Sequence, residues 1–352
     1  MRVLAVTHSL GSNGAALCLA RVLIAIKQAG GTADVLYSGN QFLAQVLRDH
    51  GVGIIDQAQA GNYDVALVNT LIDHRRVSEL ATVLPVLFWV HEGQSTRDND
   101  LGSALTWGQA FRLSSRVVFD TSWQSQSVFK SFLDGVAPHR VLHVEPSGAI
   151  SSETNKIQRT DRSPCQIVSV GSVYPRKRPA DIIEAVLRMS DPEAHCTIVG
   201  NLDYLHMNGQ AMIDAVAGNP KRFTLTGEIL DENEKIQYLR NASVYCSASG
   251  DETFGMAAVE AASIGLPLAL SDLPCYQGIW QHGVNALLSP VGAVDCLSWN
   301  LKALLNDRAL AHRISLAGRQ TAARFTLDRF LRGMSDALIQ TIQDPLPRGA
   351  VI

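Results

Sequence analysis

The chain has little charge for its length and no long run of one sign. Asp, Glu, Lys and Arg make up 18% of its 352 residues and the formal net charge is −3, so there is no basic field to hold nucleic acid or an anionic membrane. The six cysteines (Cys18, Cys165, Cys196, Cys246, Cys275, Cys296) are scattered, without a C-x2-C pair and without histidines at ligand spacing. That pattern argues against a zinc site and suits a reducing cytoplasm. No apolar run reaches the roughly 18 residues that span a bilayer, and Met1 to Thr7 is too short an opening for a signal-peptide core. The expectation is a cytoplasmic protein, with peripheral contact at the inner face of the membrane left open. The dinucleotide fingerprint G-x-G-x-x-G is missing as well. The first βα turn reads His8-Ser-Leu-Gly-Ser-Asn-Gly-Ala-Ala16, with Gly11 and Gly14 spaced G-x2-G, which argues against NAD.

What is present is an alternation of short apolar runs with helical patterns, in a length that admits about two domains. Arg2 to Thr7, Ala33 to Tyr37, Val65 to Val68, Pro85 to Val90 and Arg116 to Phe119 read as strands, and Ala15 to Ala29 reads as an amphipathic helix closed by Gly30 and Gly31. The repeat implies a parallel sheet covered on both faces. Between Pro146 and Pro164 the periodicity gives way to a polar stretch, Ser147 to Ser163, with the composition of a linker. A second series follows, with strands at Gln166 to Val170, Cys196 to Val199, Phe223 to Thr226, Val244 to Ser247 and Leu266 to Leu270. The division expected is residues 1–150, 164–326, and a last helix and tail over 327–352. Ligand belongs in the crevice outside the carboxyl ends of the strands.

The most informative stretch is Ser249-Gly-Asp-Glu-Thr-Phe-Gly-Met-Ala-Ala-Val-Glu-Ala-Ala-Ser-Ile-Gly-Leu-Pro267. Thr253 reads as an N-cap, Phe254 to Ile264 as a small-residue helix, Gly265 as its stop and Pro267 as the block beyond. Glu252 then lies before the helix and Glu260 about two turns in. The backbone amides of Phe254, Gly255 and Met256 would point from the helix N-terminus toward a phosphate or a developing negative charge.

This string resembles the retaining glycosyltransferases of family 4, whose hallmark is Glu-x7-Glu with Phe-Gly after the first Glu; Glu252 and Glu260 match that spacing. The resemblance implies the α/β GT-B fold, two doubly wound Rossmann-like domains facing each other across a cleft, with the last helix crossing back to the N-terminal domain. It further implies that Glu252 serves the donor sugar and Glu260 the ribose hydroxyls.

Three further segments take their roles from the same resemblance. In Phe88-Trp-Val-His-Glu92, His91 matches a histidine at the edge of an N-domain strand that reaches the donor sugar, and Glu92 is read as orienting the ring or as solvated. In Val168-Ser-Val-Gly-Ser-Val-Tyr-Pro-Arg-Lys-Arg-Pro179, Gly171 and Lys177 match the diphosphate loop. Ser172 stands where the family carries arginine, so Arg176 is preferred over Arg178 to supply the missing charge. Gly14 matches a glycine beside the donor phosphates; its alternative is a tight turn that needs glycine only for positive φ. Glu228 and Ile229 are weaker candidates near the nucleotide, and Asp98-Asn-Asp100, a metal signature in another glycosyltransferase architecture, reads here as surface.

The function these readings imply is retaining transfer of a sugar from a nucleotide diphosphate donor to a hydroxyl acceptor. The diphosphate would be neutralised by Lys177 and Arg176 without a metal. The wording of His8 to Leu17 resembles transferases of bacterial surface polysaccharide pathways. Two alternatives stay open: a nucleotide-sugar epimerase or hydrolase on a similar scaffold, for which no second cluster of acid and base residues is evident, and a non-catalytic nucleotide-sugar-binding partner.

Overall fold

A computed structural model describes residues 1–100, 103–148, 166–201, 214–229 and 231–346. Most of the expected linker, residues 149–163, and the end of the tail, residues 347–352, lie outside the described residues. The chain divides into two compact units, Met1–Ser147 with Leu327–Ile352, and Gly148–Thr326.

The first unit runs β1 (Arg2–Thr7), α1 (Gly14–Gln28), β2 (Thr32–Tyr37), α2 (Ala44–Asp49), β3 (Gly53–Ile54), β4 (Val65–Asn69), α3 (His74–Leu80), β5 (Val86–Val90), α4 (Gln94–Asn99), α5 (Ala104–Leu113), β6 (Arg116–Phe119) and β7 (Val141–His143). Its seven strands are all parallel, in the order β3-β2-β1-β4-β5-β6-β7. β4, β5 and β6 are buried along their whole length, which is why they read as unbroken apolar runs rather than as alternation. α1 begins where the Asn13 side chain accepts a hydrogen bond from the Ala16 amide at 3.0 Å.

The second unit runs β8 (Gln166–Val170), α6 (Pro179–Arg188), β9 (His195–Val199), β10 (Phe223–Leu225), α7 (Glu232–Asn241), β11 (Val244–Ser247), α8 (Met256–Ser263), β12 (Leu268–Ser271), β13 (Leu287–Ser289), α9 (Val294–Asn306) and α10 (Arg308–Ala322). Its six strands are again parallel, in the order β10-β9-β8-β11-β12-β13. Both sheets are therefore doubly wound. The strand order reverses beside β1 in the first and beside β8 in the second, and these switch points are where such sheets open a crevice at their carboxyl ends.

The last helix, α11 (Leu327–Gln343), belongs to the first unit and packs on α1, β4, β5 and β6. Phe330 anchors it, with its ring 5.8 Å from that of Trp89. Beyond it, Asp344 holds the buried guanidinium of Arg116 at 2.8 Å. Among the described residues, no helix is long and apolar enough to cross a membrane.

Candidate functional site

At the switch point of the second sheet, β8 and β11 lie side by side and their following loops meet. The Gly250 amide donates to the Arg176 carbonyl at 2.7 Å, and Arg176 Nη1 donates to the Asp251 carbonyl at 3.1 Å. These crossed bonds bring the basic loop onto the acidic one. Lys177 Nζ donates to Glu252 Oε1, Ser249 Oγ donates to the same oxygen at 2.8 Å, and Arg176 Nη1 stands 3.7 Å from Glu252 Oε2. Burial alone would raise the Glu252 carboxyl, but Lys177 and Arg176 outweigh it and hold the group below the ordinary carboxylate range.

Arg178 is committed elsewhere. It takes a left-handed conformation with φ 49° and donates to Asp181 at 2.7 Å, at the start of α6. Arg176 is thus the loop arginine that faces Glu252. The backbone beneath this loop is crowded: Gly200 follows β9 with φ 152°, and a Cβ there would fall 2.2 Å from the Gly171 carbonyl oxygen. The Lys177 stem passes over Gly171.

The helix carrying the second glutamate starts later than the sequence suggested. Gly255, not Thr253, takes the N-cap position, with φ 81° and no side-chain cap. Glycine suits that position, since its φ is positive and a Cβ there would meet the Tyr276 hydroxyl at 2.6 Å. The helix amides therefore begin at Met256. Phe254 precedes the helix, and its ring is buried against Phe325 with centroids 5.0 Å apart, so the expected contribution of the Phe254 amide to a helix N-terminus is corrected. Glu260 lies a little over one turn into α8, not two, and is only 6% exposed. Two phenols pack near the glutamates. Burial first, and then Glu252, push Tyr245 and Tyr276 well above the ordinary phenol value.

Sequence reasoning missed Lys235. It projects from α7, and its Nζ lies 3.3 Å from Glu260 Oε2 and 3.1 Å from Glu232 Oε1. Burial would lower its ammonium, yet Glu260 and Glu232 keep it above the ordinary lysine value. No local motif flags a lysine whose partner lies on another helix. Ser249, inside the quoted motif, was also passed over.

In the first unit, the register of β4, β5 and β6 places Asn69, His91 and Asp120 together at the carboxyl edge. His91 Nε2 lies 3.0 Å from Asn69 Oδ1, and its Nδ1 lies 3.3 Å from Asp120. Trp89 packs at a tilt beside the ring, with centroids 4.3 Å apart, and donates its indole N–H to Asp120 at 3.3 Å. Glu92 is half-buried and its carboxylate bonds backbone amides rather than this ring. Its Oε2 accepts from the Leu71 and His91 amides at 2.8 and 3.1 Å, and burial raises its carboxyl against those bonds. The ring is oriented by Asp120. A signal for Asp120 and Asn69 did exist, since each is the polar residue ending an apolar strand.

The switch point of this sheet, between β1 and β4, holds another group absent from the sequence reading. His8 Nδ1 lies 2.9 Å from Thr70 Oγ1 and 3.4 Å from Asp73. Thr70 is a β-branched residue with φ 82°, a strained conformation pinned by its amide bond to the Trp89 carbonyl at 2.8 Å. Gly14 is the first residue of α1, so its backbone is helical and the turn does not use it for a positive φ. Glu228 is exposed and Ile229 half-buried beyond Gly227. Asp98 is an exposed partner of Arg97 at 2.7 Å. Among the described residues, no group of three or more His, Cys, Asp or Glu is placed to hold a metal ion.

Residues 151–321 match the family model of glycosyl transferases group 1. The chain is 29% identical over 154 residues to phosphatidyl-myo-inositol mannosyltransferase of Mycobacterium leprae, a match that covers 43% of this chain and 40% of the relative. It is 30% identical over 158 residues to the Mycobacterium tuberculosis protein of the same name, with the same coverage. The chain thus spans well under two thirds of the length of these curated relatives. Among solved structures it is similar to Anabaena HepE in complex with UDP, with a TM-score of 0.80 and 17% identity, over 96% of this chain and 100% of that one. It is similar also to sucrose-phosphate synthase from Thermosynechococcus elongatus, with a TM-score of 0.77 and 14% identity, over 97% and 100% of the two chains. With its two doubly wound sheets, the chain has the GT-B fold.

Proposed function

We propose that this chain, built around a group 1 glycosyl transferase domain at residues 151–321, moves a sugar from a nucleotide diphosphate donor to a hydroxyl acceptor with retention of anomeric configuration. The observation that carries the reading is the convergence of Lys177, Arg176 and Ser249 on the Glu252 carboxylate at a sheet switch point. When the bond from the sugar C1 to the donor phosphate oxygen breaks, its electron pair passes to the diphosphate. Fixed cations stabilise that developing charge more than they stabilise the bound donor. Lys177 and Arg176 supply them, and the N-terminus of α8 adds a favourable dipole.

In this mechanism the acceptor oxygen bonds to C1 on the face the leaving group vacates, and the departing diphosphate takes the acceptor proton. Glu252 accepts hydrogen bonds from the donor sugar, and Glu260 accepts them from the ribose diol. His91 is assigned to a sugar hydroxyl, and Gly14 to close approach of a phosphate to the backbone. The mycobacterial relatives, named for mannosyl transfer to phosphatidyl-myo-inositol, support transfer of a sugar, and HepE, solved with UDP and with UDP-glucose, supports a nucleoside diphosphate leaving group. The acceptor proposed is a glycan or lipid-linked hydroxyl, in surface glycoconjugate synthesis at the cytoplasmic face of a membrane; the relatives' name, with its phosphatidyl-myo-inositol, favours a lipid-linked one.

A panel of UDP-, GDP- and ADP-sugars incubated with and without hydroxyl acceptors tests the proposal. Acceptor-dependent release of one nucleoside diphosphate is the expected result. Conversion of the donor to another free nucleotide sugar, or binding without turnover, would replace this function with epimerisation or with a non-catalytic role.

A further inference from the structure

Glu260 is a carboxylate that the fold has almost removed from water, with its side chain 8% exposed. A buried carboxylate is tolerated only beside a compensating charge, and the partner that supplies the charge also fixes the plane of the two oxygens. That partner is Lys235, itself 15% exposed, whose ammonium straddles both oxygens at 3.3 and 3.4 Å. The two residues come from different helices, α7 and α8. Lys235 is anchored in turn by Glu232, one helical turn back at 3.1 Å, so its ammonium cannot swing away without leaving a second carboxylate.

We propose that Lys235 is the positioning residue of the nucleotide site: by straddling the Glu260 carboxylate it aims both oxygens at the vicinal hydroxyls of a ribose, and so makes the site selective for ribonucleotide over deoxyribonucleotide donors. A carboxylate has about four lone-pair positions, so it can serve an ammonium along one edge and a diol along another. An ammonium that tethers both oxygens suits a two-point ligand such as a cis diol. This inference rests on the reading of Glu260 as the ribose residue, and it adds a second residue that no motif in the chain announces.

The test compares the binding of UDP, GDP and ADP with that of their 2′-deoxy counterparts by calorimetry, in wild type, Lys235→Ala, Lys235→Arg, Glu260→Gln and the double variant Lys235→Ala with Glu260→Gln. The wild type should prefer at least one ribonucleotide about ten-fold, the weight of one hydrogen bond to a charged group. Lys235→Ala should bring that ratio close to one, Lys235→Arg should keep most of it, and the double variant should show no loss of ratio beyond Glu260→Gln alone. Lys235 would be excluded if Lys235→Ala kept the wild-type ratio while Glu260→Gln lost it. A wild type that binds ribo- and deoxynucleotides alike, or neither, removes the ribose reading of Glu260 and this proposal with it. Should Lys235→Ala fail to fold, Lys235→Met carries the same expectations.

Discussion

Lys177 and Glu252 stand 75 residues apart in the chain and share a hydrogen bond at the point where the second sheet reverses its strand order. Glu252 also has Ser249 on the same oxygen and Arg176 facing the other. In the proposed reaction this pair is the cation that meets the departing diphosphate and the acceptor that meets the donor sugar.

If Lys177 acts chiefly on charge that develops in the transition state, Lys177→Ala should lower turnover about 100-fold or more with both substrates saturating, the scale seen when one preorganised donor is removed. Wild-type turnover in the folded variant would make the basic loop a surface feature.

Gly255 is held at φ 81° with the Tyr276 hydroxyl against it. Gly255→Ala should therefore cost about 1–3 kcal/mol, the range for a residue forced into such a conformation. The shift of the urea midpoint at constant slope reads it. A midpoint within error of wild type would show that the α8 start tolerates a side chain.

The carboxyl of Glu92 is raised by burial, in spite of the Leu71 amide that favours its charged form. A carboxyl whose folded value lies above its unfolded value stabilises the fold while protonated. That contribution is present below the unfolded value of about 4.3 and is lost as pH rises through the raised one. Wild type should accordingly lose stability relative to Glu92→Gln as pH rises from acid to neutral. A difference between the two that stays flat, or grows toward acid, would contradict the assignment.

Activity should survive EDTA, because Lys177, Arg176 and the α8 N-terminus already offer a diphosphate most of the positive charge it needs. Abolition by EDTA with rescue by Mn²⁺ or Mg²⁺ would overturn this.

The sequence made the long strands legible because parallel strands covered on both faces are continuous apolar runs: Arg2–Thr7, Arg116–Phe119, Gln166–Val170 and Val244–Ser247 appear with those bounds. β3, β7 and β13, of two or three residues, were not read as strands, whereas β10, also of three residues, was. The start of α8 was misplaced for a different reason. Thr253 has the side chain of a cap, but the chain enters the helix through Gly255 at positive φ, where Tyr276, distant in sequence, leaves no room for a Cβ. Local chemistry likewise brought Glu252, Glu260, Lys177 and Arg176 into view. Lys235 and Asp120 act through partners on other helices or strands, a relation that only the folded chain displays.

The most direct test of the account is proton NMR of the sugar product formed from whichever nucleotide sugar proves active. Retaining transfer predicts that the anomeric proton of the product keeps the donor's configuration, and that one nucleoside diphosphate appears for each bond formed. It predicts also that Lys177→Ala loses both signals together. An inverted anomeric centre, or product formed at the wild-type rate by Lys177→Ala, would contradict it.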